Sequence, residues 1–414
     1  MREITIIGAG QSGLMVALGL IQKDYKVSLI SNRTAEQIRN GRILSSQGMM
    51  QPAIQAERDL GLRFWEDQCP YWEGLQFTIV APDLTRAISF NRPTPGQWES
   101  LDQRVKISDW MEKFVEWGGN LIIDDADIDK LEHYTEQSDL VLIASGKGEI
   151  GKLFERDAEK SPYDKPMRSL ALTYVFGMDK IAPVGEEMKP FHGLTWYSYP
   201  EVGEYFTTRT LTTSGICDVM IFEGVLGGPM DCWDDVKTPE QHLKTSMDIL
   251  HEFFPWEARR CENIKLTDDN GILTGRFPPT VRKPIGTLPS GAIVMGIGDT
   301  VCLNDPVTGQ GANNAAKCGK VVHDRIVEHE SAKFNAQWMQ SVFDEYWMQA
   351  KHVTKWTNSL LEVPPDGAFI VLSAAEHNTK IADHVFNGFN DAALYEPWFY
   401  DVQAAEELVA EMSE

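Results

Sequence analysis

The sequence predicts an α/β fold in which a Rossmann-like nucleotide-binding domain is interrupted by a β-rich insertion and followed by a helical C-terminal region. Three observations support this prediction. A β-branched strand that runs into glycines opens the chain at residues 3–10. Short aromatic and β-branched segments occupy residues 171–280, and helical spacing prevails after residue 310. The first pattern is typical of parallel α/β sheets and the second of antiparallel sheets.

The N-terminal segments have the order strand, helix, strand. "EITIIGAG" has the continuous apolar character of a buried parallel strand, and residues 12–22 have helical apolar spacing. "KVSLIS" at residues 26–31 predicts the second strand, which completes the start of a βαβ unit. A further helix is expected over residues 48–60.

The middle of the chain changes from parallel to antiparallel character and back. An amphipathic helix that ends on glycine is expected at residues 107–119, followed by strands at "NLIID" and "DLVLIAS". "LALTYVFG", "GLTWYSYP", "EYFTTRTLTT" and "DVMIFEGV" predict an antiparallel sheet. The strand at residues 292–297 returns to the parallel type. The nucleotide-binding domain is therefore expected to be discontinuous.

These changes of pattern also predict the domain boundaries. The segments are residues 1–75, 105–170 and 280–330 for the nucleotide-binding domain, 76–104 and 171–279 for a substrate domain with an antiparallel sheet, and 331–414 for the C-terminal helical region.

Composition narrows the class of protein. The 414 residues contain 38 Lys and Arg against 61 Asp and Glu, a net charge of −23, which repels nucleic acid and anionic membranes. We therefore expect neither as a partner. The uncharged run at residues 4–22 is nearly long enough for a membrane span or a signal peptide, but its regularly spaced glycines favour a nucleotide-binding strand and helix. The six cysteines form no CxxC and the nine histidines have no metal-ligand spacing, so no metal site and a cytoplasmic location are expected.

The first glycine motif, Gly8-Ala9-Gly10-Gln11-Ser12-Gly13, is a G-x-G-x-x-G directly after a strand and at the start of a helix. Gly8 permits the tight turn, Gly10 lets a pyrophosphate approach the backbone, and Gly13 allows the helix to pack closely on the strand. Free amides at the helix start favour the anion. Dinucleotide binding is the interpretation, and a purely structural turn is the alternative. The residues assigned to the cofactor here are Gly8, Gly10, Gln11, Ser12 and Gly13.

The second strand does not end in the Asp or Glu that usually binds the ribose. It ends in Ser31, Asn32 and Arg33. Arg33 and Arg42 either contact phosphate or adenine or are solvated surface charges. These residues and Ser145 complete the predicted adenosine side, and the missing carboxylate predicts a loosely held cofactor.

The second motif, "GIGDT…DPVTGQGAN" at residues 296–313, resembles the second flavin motif of the aromatic-hydroxylase-like FAD monooxygenases. The resemblance implies FAD as the cofactor, with Asp299 at the ribityl chain. Proline fixes the backbone and glycines allow close approach to a flat ring. The residues that the resemblance places at the isoalloxazine are Pro306, Gly309, Gln310, Gly311, Ala312 and Asn313.

Over nearly its full length the chain resembles the two-component styrene and indole monooxygenases. The stretches that support this are "GRIL", "ASGKGEIGKLFERDAEKSPYDKPMR", "GDTVCLNDPVTGQGAN" and "TKWTNSLLEVPPD". The resemblance implies that FAD is bound in its reduced form, FADH2, and reacts with O2 to give a C4a-hydroperoxide. This species would epoxidise indole, which then forms indoxyl and indigo, or styrene, and would also oxidise sulfides. No catalytic acid or base is expected.

The partner predicted for this chemistry is a separate NAD(P)H:flavin reductase that supplies FADH2 transiently. Single-component aromatic hydroxylases carry an Asp-Gly motif that helps to bind NAD(P)H. "EKSPYDKPMRSLAL" stands at the equivalent place and has no Asp-Gly, and no second G-x-G-x-x-G follows. Reduced flavin is therefore expected to arrive ready-made. A homodimer is left open.

The predicted substrate pocket lies in "ILSSQGM". Ile43, Ser45, Gln47 and Met49 alternate, so on a strand they would share one face. In the resemblance, Ser, Gln and Met at these positions look like the indole-preferring set, and a polar pair could recognise an indole N–H. The alternative is a half-buried strand with incidental polar groups.

Two other classes of function were weighed against an epoxidase. A halogenase that uses FADH2 would carry a Trp-x-Trp-x-Ile segment, which this sequence does not have. A non-catalytic protein with a vestigial flavin fold conflicts with the intact Asp299 and Gly-Gln-Gly segments. A styrene-preferring epoxidase of the same family stays the nearest alternative.

Overall fold

The computed structural model describes residues 2–45, 48–145, 150–179 and 192–414. Its strands, in chain order, are β1 (Glu3–Ile7), β2 (Lys26–Ser31), β3 (Gly74–Val80), β4 (Arg86–Pro93), β5 (Asn120–Ile123), β6 (Leu140–Ile143), β7 (Arg168–Phe176), β8 (Leu194–Tyr199), β9 (Gly203–Thr212), β10 (Gly215–Val225), β11 (Lys265–Leu266), β12 (Ile272–Gly275), β13 (Thr280–Val281), β14 (Ile285–Thr287), β15 (Ile293–Gly296) and β16 (Cys302–Leu303).

Helices surround these strands and make up the C-terminal part of the chain. They are α1 (Gln11–Ile21), α2 (Ala35–Arg39), α3 (Gln51–Asp59), α4 (Gln103–Glu116), α5 (Ile128–Gln137), α6 (Pro239–Phe253), α7 (Pro255–Arg260), α8 (Gly311–Glu328), α9 (Ala336–Ser359), α10 (Asp366–Ala375), α11 (Thr379–Asn387) and α12 (Val402–Ser413). Short 3₁₀ helices lie at Ile150–Leu153, Gly298–Thr300, Pro306–Thr308 and Ala392–Tyr395. No helix of the described ranges combines the length and apolar character needed to cross a bilayer.

The first sheet is the predicted parallel sheet. Its six strands have the order β14-β15-β6-β1-β2-β5, and every pair is parallel except the edge pair β14–β15. β15 returns beside β6, with Gly296 opposite Ile143, although about 150 residues separate the two strands in sequence. The carboxyl ends of β1, β6 and β15 therefore meet at one edge, which is where ligands bind in folds of this class.

The second sheet is formed by the inserted β-rich segments. Its main path is β11-β7-β10-β9-β8-β3-β4, and β12 also pairs with β7. Most pairs are antiparallel, as the sequence predicts, but β3 and β8 are parallel. This pairing joins the segment near residue 76 to the long insertion. The exact domain boundaries stay a prediction.

The helical C-terminal region covers one face of the second sheet. Phe77 on β3 and Trp196 on β8 belong to the same buried apolar cluster as Trp356 on α9 and Phe386 on α11. Phe90 stacks on Phe386 with ring centroids 5.3 Å apart. The helices after residue 330 thus complete the apolar core on that side of the sheet.

The strand expected at residues 43–49 does not form in the part of this segment that the structure describes, residues 43–45 and 48–49. Residues 42–45 have no regular structure, and Met49 makes only an isolated bridge to Glu99. The backbone of this segment bonds to separate elements, with Ile43 N–H donating to Asn270 O and Met49 N–H to Glu99 O. Ile43 and Met49 lie in two different apolar clusters, so they do not share a face. The alternation in sequence arises because the segment packs successively against different neighbours.

Candidate functional site

The first glycine turn has the geometry that its sequence predicts. Gly8 has φ +108°, and a Cβ there would lie 2.8 Å from the carbonyl oxygen of Ala144. A Cβ on Gly13 would collide with the carbonyl oxygen of Gly8, so a larger residue would force helix α1 away from the strand. A Cβ on Gly10 would meet nothing within 4 Å. The turn is closed at Gly8 and Gly13 and open to a ligand at Gly10.

The open side of this turn faces a cavity of about 380 Å³, which we call the central cavity. Its wall combines residues from both ends of the chain and from the second sheet. The residues that define it are Gly10, Gln11, Ser12, Leu44, Ser45, Gly48, Gln103, Ala144, Leu170, Ala171, Leu172, Ile221, Glu223, Leu273, Thr274, Gly275, Phe277, Ile297, Gly298, Asp299, Leu303, Asn304, Pro306, Gly309, Gly311, Ala312 and Ala315. The two sequence motifs therefore share one cavity.

The second motif supplies the opposite wall of the central cavity. Asp299 lies in the short 3₁₀ helix Gly298–Thr300 that follows β15, and it is exposed. Pro306 begins a 3₁₀ turn that ends at Gly309, whose φ of +63° is in the left-handed region. Helix α8 starts at Gly311, and no side chain caps its first turn. A helix start of this kind leaves backbone N–H groups available to an electron-rich ligand.

Two predicted cofactor residues, Gln11 and Ser12, line the central cavity, and their side chains form hydrogen bonds within the protein. Gln11 donates from Nε2 to Oε1 of Glu57 at 2.7 Å, and Ser12 donates from Oγ to the carbonyl oxygen of Ala315 at 2.7 Å. The Ser12 contact fastens helix α1 to helix α8. The two motifs are thus bonded directly to each other beside the cavity.

Two polar residues of the second motif bond within the protein and do not line the central cavity. Gln310 is fully buried and donates from Nε2 to Phe389 O at 2.9 Å. Asn313 accepts from Met50 N at 2.8 Å and donates from Nδ2 to Gly48 O at 2.7 Å and to Gly309 O at 3.0 Å. Asn313 therefore ties the segment after residue 48 to the turn at Gly309.

Other predicted residues lie outside the wall of the central cavity. The hydroxyl of Ser31 bonds within its own turn, to the backbone of Arg33, and Arg42 is exposed. Gln47 lies outside the described residues. The predicted residues that the structure describes and that do not line this cavity are Gly8, Gly13, Ser31, Asn32, Arg33, Arg42, Ile43, Met49, Ser145, Gln310 and Asn313. Ser45 is the member of the predicted substrate set that lines it.

An apolar pocket of about 50 Å³, which we call the inner pocket, adjoins the central cavity. The residues that define it are Gly48, Met50, Trp72, Ser100, Tyr174, Leu194, Trp196, Phe206, Thr208, Val219, Ile221, Glu223, Pro306, Val307, Thr308, Gly309 and Phe389. Pro306, Gly309 and Glu223 belong to both walls. The turn of the second motif is therefore the partition between the two spaces.

Sequence reasoning missed the aromatic residues of the inner pocket. Trp196 on β8 stands opposite Phe206 on β9, and their rings stack with centroids 5.4 Å apart. Trp196 and Phe389 also line an outer cavity of about 530 Å³ between the second sheet and the C-terminal helices. These two rings separate the inner pocket from the outer cavity. The aromatic residues within "LTWYSY" and "EYFTTRT" indicated an aromatic surface in the sequence. The pairing of the two strands is needed to know which of these rings contact each other.

A buried cluster of three acids and one base lies along the cavity walls, and we call it the acidic cluster. Its members are Arg168 on β7, Glu204 on β9, Glu223 on β10 and Asp305 before the 3₁₀ turn. Arg168 Nε lies 2.8 Å from Glu204 Oε2. Glu223 stands opposite Glu204 in the β9–β10 register, and its carboxyl group hydrogen-bonds that of Asp305.

Burial governs the protonation of the acidic cluster. Burial, with the charges of Asp305 and Glu204, raises the pKa of Glu223 well above the usual range of a carboxyl group. Burial also raises the pKa of Asp305 to about 7. Charged forms are disfavoured because the cluster has one cation for three acids. No catalytic acid or base was expected from the sequence, and these four residues were not among the predicted site residues.

Comparison with known proteins finds relatives in one family. The family model described as the styrene monooxygenase A putative substrate binding domain matches residues 146–260. Styrene monooxygenase StyA of Pseudomonas fluorescens is 26% identical over 399 residues, which cover 94% of this chain and 93% of the relative. These matches support the predicted resemblance to the styrene monooxygenase family over nearly the full length of the chain. StyA of a second Pseudomonas is 26% identical over 398 residues, with the same coverage of 94% and 93%.

Solved structures share the fold of this chain at low sequence identity. Flavin-dependent brominase Bmp2 has a TM-score of 0.68 with 14% identity, covering 100% of this chain and 99% of its own. A flavoprotein/dehydrogenase from Cytophaga hutchinsonii has a TM-score of 0.65 with 14% identity and 100% coverage of both chains. The predicted fold class is confirmed by these shared folds.

Proposed function

We propose that this chain is the epoxidase component of a two-component system, which uses reduced FAD and O2 to epoxidise indole in preference to styrene. The observation that carries the proposal is that both glycine motifs line one central cavity, which meets an apolar aromatic pocket at Pro306 and Gly309. Such a junction places a cofactor edge against an apolar substrate.

The residues present fit FAD. The open face of Gly10 would take the pyrophosphate, and the exposed carboxylate of Asp299 would hold the ribityl chain. A Cβ on Gly311 would meet nothing within 4 Å, so the start of helix α8 can lie close to a flat ring. When bound, reduced FAD supplies the activation of O2 for transfer of one oxygen atom.

Loose binding of this cofactor would suit delivery by a separate NAD(P)H:flavin reductase. β2 ends in Ser31 and is followed by Asn32 and Arg33, so the usual carboxylate for the adenosine ribose is not at that place. The hydroxyl of Ser31 is already engaged with Arg33. Fewer fixed contacts at the adenosine end favour rapid exchange of the cofactor.

The protein's part in the reaction would be to position the substrate and to exclude water. Trp72, Leu194 and Phe206 give the inner pocket an apolar wall that suits an aromatic ring. The pocket is narrower than a bicyclic aromatic molecule. Entry of such a molecule would therefore require a side chain of the pocket wall to move, and Trp196 and Phe389 also line the outer cavity.

Asp299→Ala tests the cofactor site directly. We expect affinity for reduced FAD to fall by about tenfold or more in an anaerobic titration, because a charged hydrogen-bonding group to the ribityl chain is lost. Asp235→Ala, which removes an exposed carboxylate elsewhere, is the matched control. Equal affinity in the two variants would contradict the assignment of Asp299.

Activity is tested by coupling the purified chain to a flavin reductase with NADH. We expect indole to be consumed faster than styrene, with indigo as the visible product, and no consumption when the reductase is left out. Efficient styrene epoxidation without indole turnover would reverse the proposed preference. Inactivity on both, despite uptake of reduced FAD, would refute the proposed epoxidase.

A further inference from the structure

Glu223 is the titratable residue, among those that the structure describes, that lines both the central cavity and the inner pocket, and it is only 1% exposed. Its Oε2 atom has no hydrogen-bond donor among the described residues. An unsatisfied buried acceptor is costly, so this oxygen needs either a proton of its own or a donor from a ligand.

The surroundings show which form of Glu223 is stable. Asp305 contacts it from the loop before the 3₁₀ turn, and Glu204 faces it from β9. Arg168 on β7 is the nearby cation. Its Nε and Nη2 atoms donate to the carboxylate of Glu204. Its guanidinium group also donates to the carbonyl oxygens of Leu360 and Leu361. Two carboxylates cannot bond each other without a proton. Glu223 is therefore neutral and donates that proton to Asp305.

A neutral carboxyl group that donates to Asp305 has one acceptor oxygen left over. The rest of the inner pocket offers mostly apolar walls, including Trp196, Phe206 and Ile221. An aromatic ligand with an N–H would satisfy the remaining oxygen, whereas a hydrocarbon of the same shape would leave it without a partner. The site thus discriminates by hydrogen bonding and not by shape alone.

We propose that Glu223, as a neutral carboxylic acid, accepts a hydrogen bond from the N–H of an indole-type substrate and thereby determines the preference for N–H-bearing aromatics. The inference rests on the proposed function and moves the recognition of the N–H from Ser45 and Gln47 to the second sheet. In indole the N–H adjoins the double bond that is oxidised. Holding the N–H at Glu223 would therefore place that bond beside Pro306 and Gly309, which also line both spaces.

The test is a binding experiment without turnover. Indole, indene and N-methylindole are titrated into the protein with oxidised FAD and no reductant, and binding is followed by calorimetry. For the unmodified chain we expect indole to bind about tenfold more tightly than indene, from one buried hydrogen bond and the cost of leaving its acceptor unpaired. Equal affinity for the two ligands would overturn the inference.

Two variants test whether Glu223 acts on the substrate as a hydrogen-bond acceptor or as a proton donor. In Glu223→Gln the amide NH2 donates to Asp305 and the amide oxygen still accepts, so the tenfold preference for indole should persist. In Glu223→Leu the preference should disappear. Loss of the preference in the Gln variant, or its survival in a folded Leu variant, would contradict the assigned role.

Infrared difference spectra provide a readout that does not depend on a variant folding. Adding indole to the unmodified chain should shift a protonated-carboxyl C=O band, and adding indene should not. No shift with indole would overturn the inference. If neither ligand binds and neither is oxidised, the proposed function itself fails. If both bind equally and indole is still oxidised, only the role of Glu223 fails.

Discussion

Two of the buried clusters of charged side chains in the described part of the chain differ in their balance of charge. The first, which we call the balanced cluster, has two acids and two bases: Glu57 and Glu99 with Arg63 and Lys106. Lys106 Nζ lies 2.6 Å from Glu57 Oε1, and Arg63 Nη1 lies 2.6 Å from Glu99 Oε1. The acidic cluster has three acids and one base, so its charge can be balanced only by taking up protons.

The position of each cluster relative to the cavities corresponds to its balance of charge. None of the four residues of the balanced cluster lines the central cavity, the inner pocket or the outer cavity. In the acidic cluster, Arg168 and Glu204 line the outer cavity, and Glu223 lines the other two spaces. A buried cluster in which every charge is paired holds the helices in position. A buried cluster with an excess of acids keeps hydrogen-bonding capacity for a ligand.

The largest effect on stability is expected in the balanced cluster. Lys106→Met leaves the carboxylate of Glu57 buried with one cation fewer, and we expect the free energy of unfolding to fall by about 3–5 kcal/mol. Chemical denaturation measures this loss. Lys113→Met, which removes an exposed partner of Glu116, should cost less than about 1 kcal/mol. Similar losses in both variants would show that the buried cluster does not stabilise the fold.

A pH-dependent effect is expected in the acidic cluster. The pKa of Asp305 is raised to about 7 in the folded protein, so the folded form holds a proton that the unfolded chain releases near pH 4. Its contribution to stability is present below about pH 4 and is lost as the pH rises through about 7. Asp305→Asn removes this titration and keeps the acceptor for Val307 N–H.

Denaturation of the unmodified chain and of Asp305→Asn at pH 5 and pH 8 measures this difference. Relative to the variant, we expect the unmodified chain to lose about 2 kcal/mol between the two pH values. Asp235→Asn at an exposed position is the control and should follow the unmodified chain. Parallel behaviour of all three proteins would mean that Asp305 is ionised in the folded state.

A smaller effect is expected where the balanced cluster meets the glycine turn. Gln11→Leu removes the 2.7 Å hydrogen bond to Glu57 and should lower the free energy of unfolding by about 1–2 kcal/mol. Because Gln11 would contribute only its backbone to the cofactor, affinity for reduced FAD should change by less than about threefold. A severe loss of FAD affinity with unchanged stability would instead place the Gln11 side chain at the cofactor.

Much of the fold was predictable because local rules determine it. The roles of Gly8 and Gly13 follow from steric limits that any strand–turn–helix imposes, and the structure reproduces both. The return of β15 to the parallel sheet was visible from its apolar pattern and from the second flavin motif that follows it. The parallel pairing of β3 with β8 was not, since aromatic composition carries no information about strand direction.

The parts of the site that escaped prediction depend on contacts between distant segments. Glu223 and Glu204 are neighbours only through the β9–β10 register, and Asp305 joins them from a loop some 80 residues later. The alternation at residues 43–49 was read as a strand, but it reflects packing against separate partners. The motif did not show which way the side chains of Gln310 and Asn313 point. Both are buried and bond to distant parts of the chain.

Asn313 bonds to Met50 and Gly48 on one side and to Gly309 on the other, so one amide group couples the backbone of two walls. A ligand that displaces residues 48–50 must also disturb the turn at Gly309. A ligand that displaces the turn at Gly309 must likewise disturb residues 48–50. Thermodynamic linkage then requires each ligand to alter the affinity of its neighbour by the same factor. The order in which the two arrive would be set by rates alone, and their mutual effect would be identical by either route.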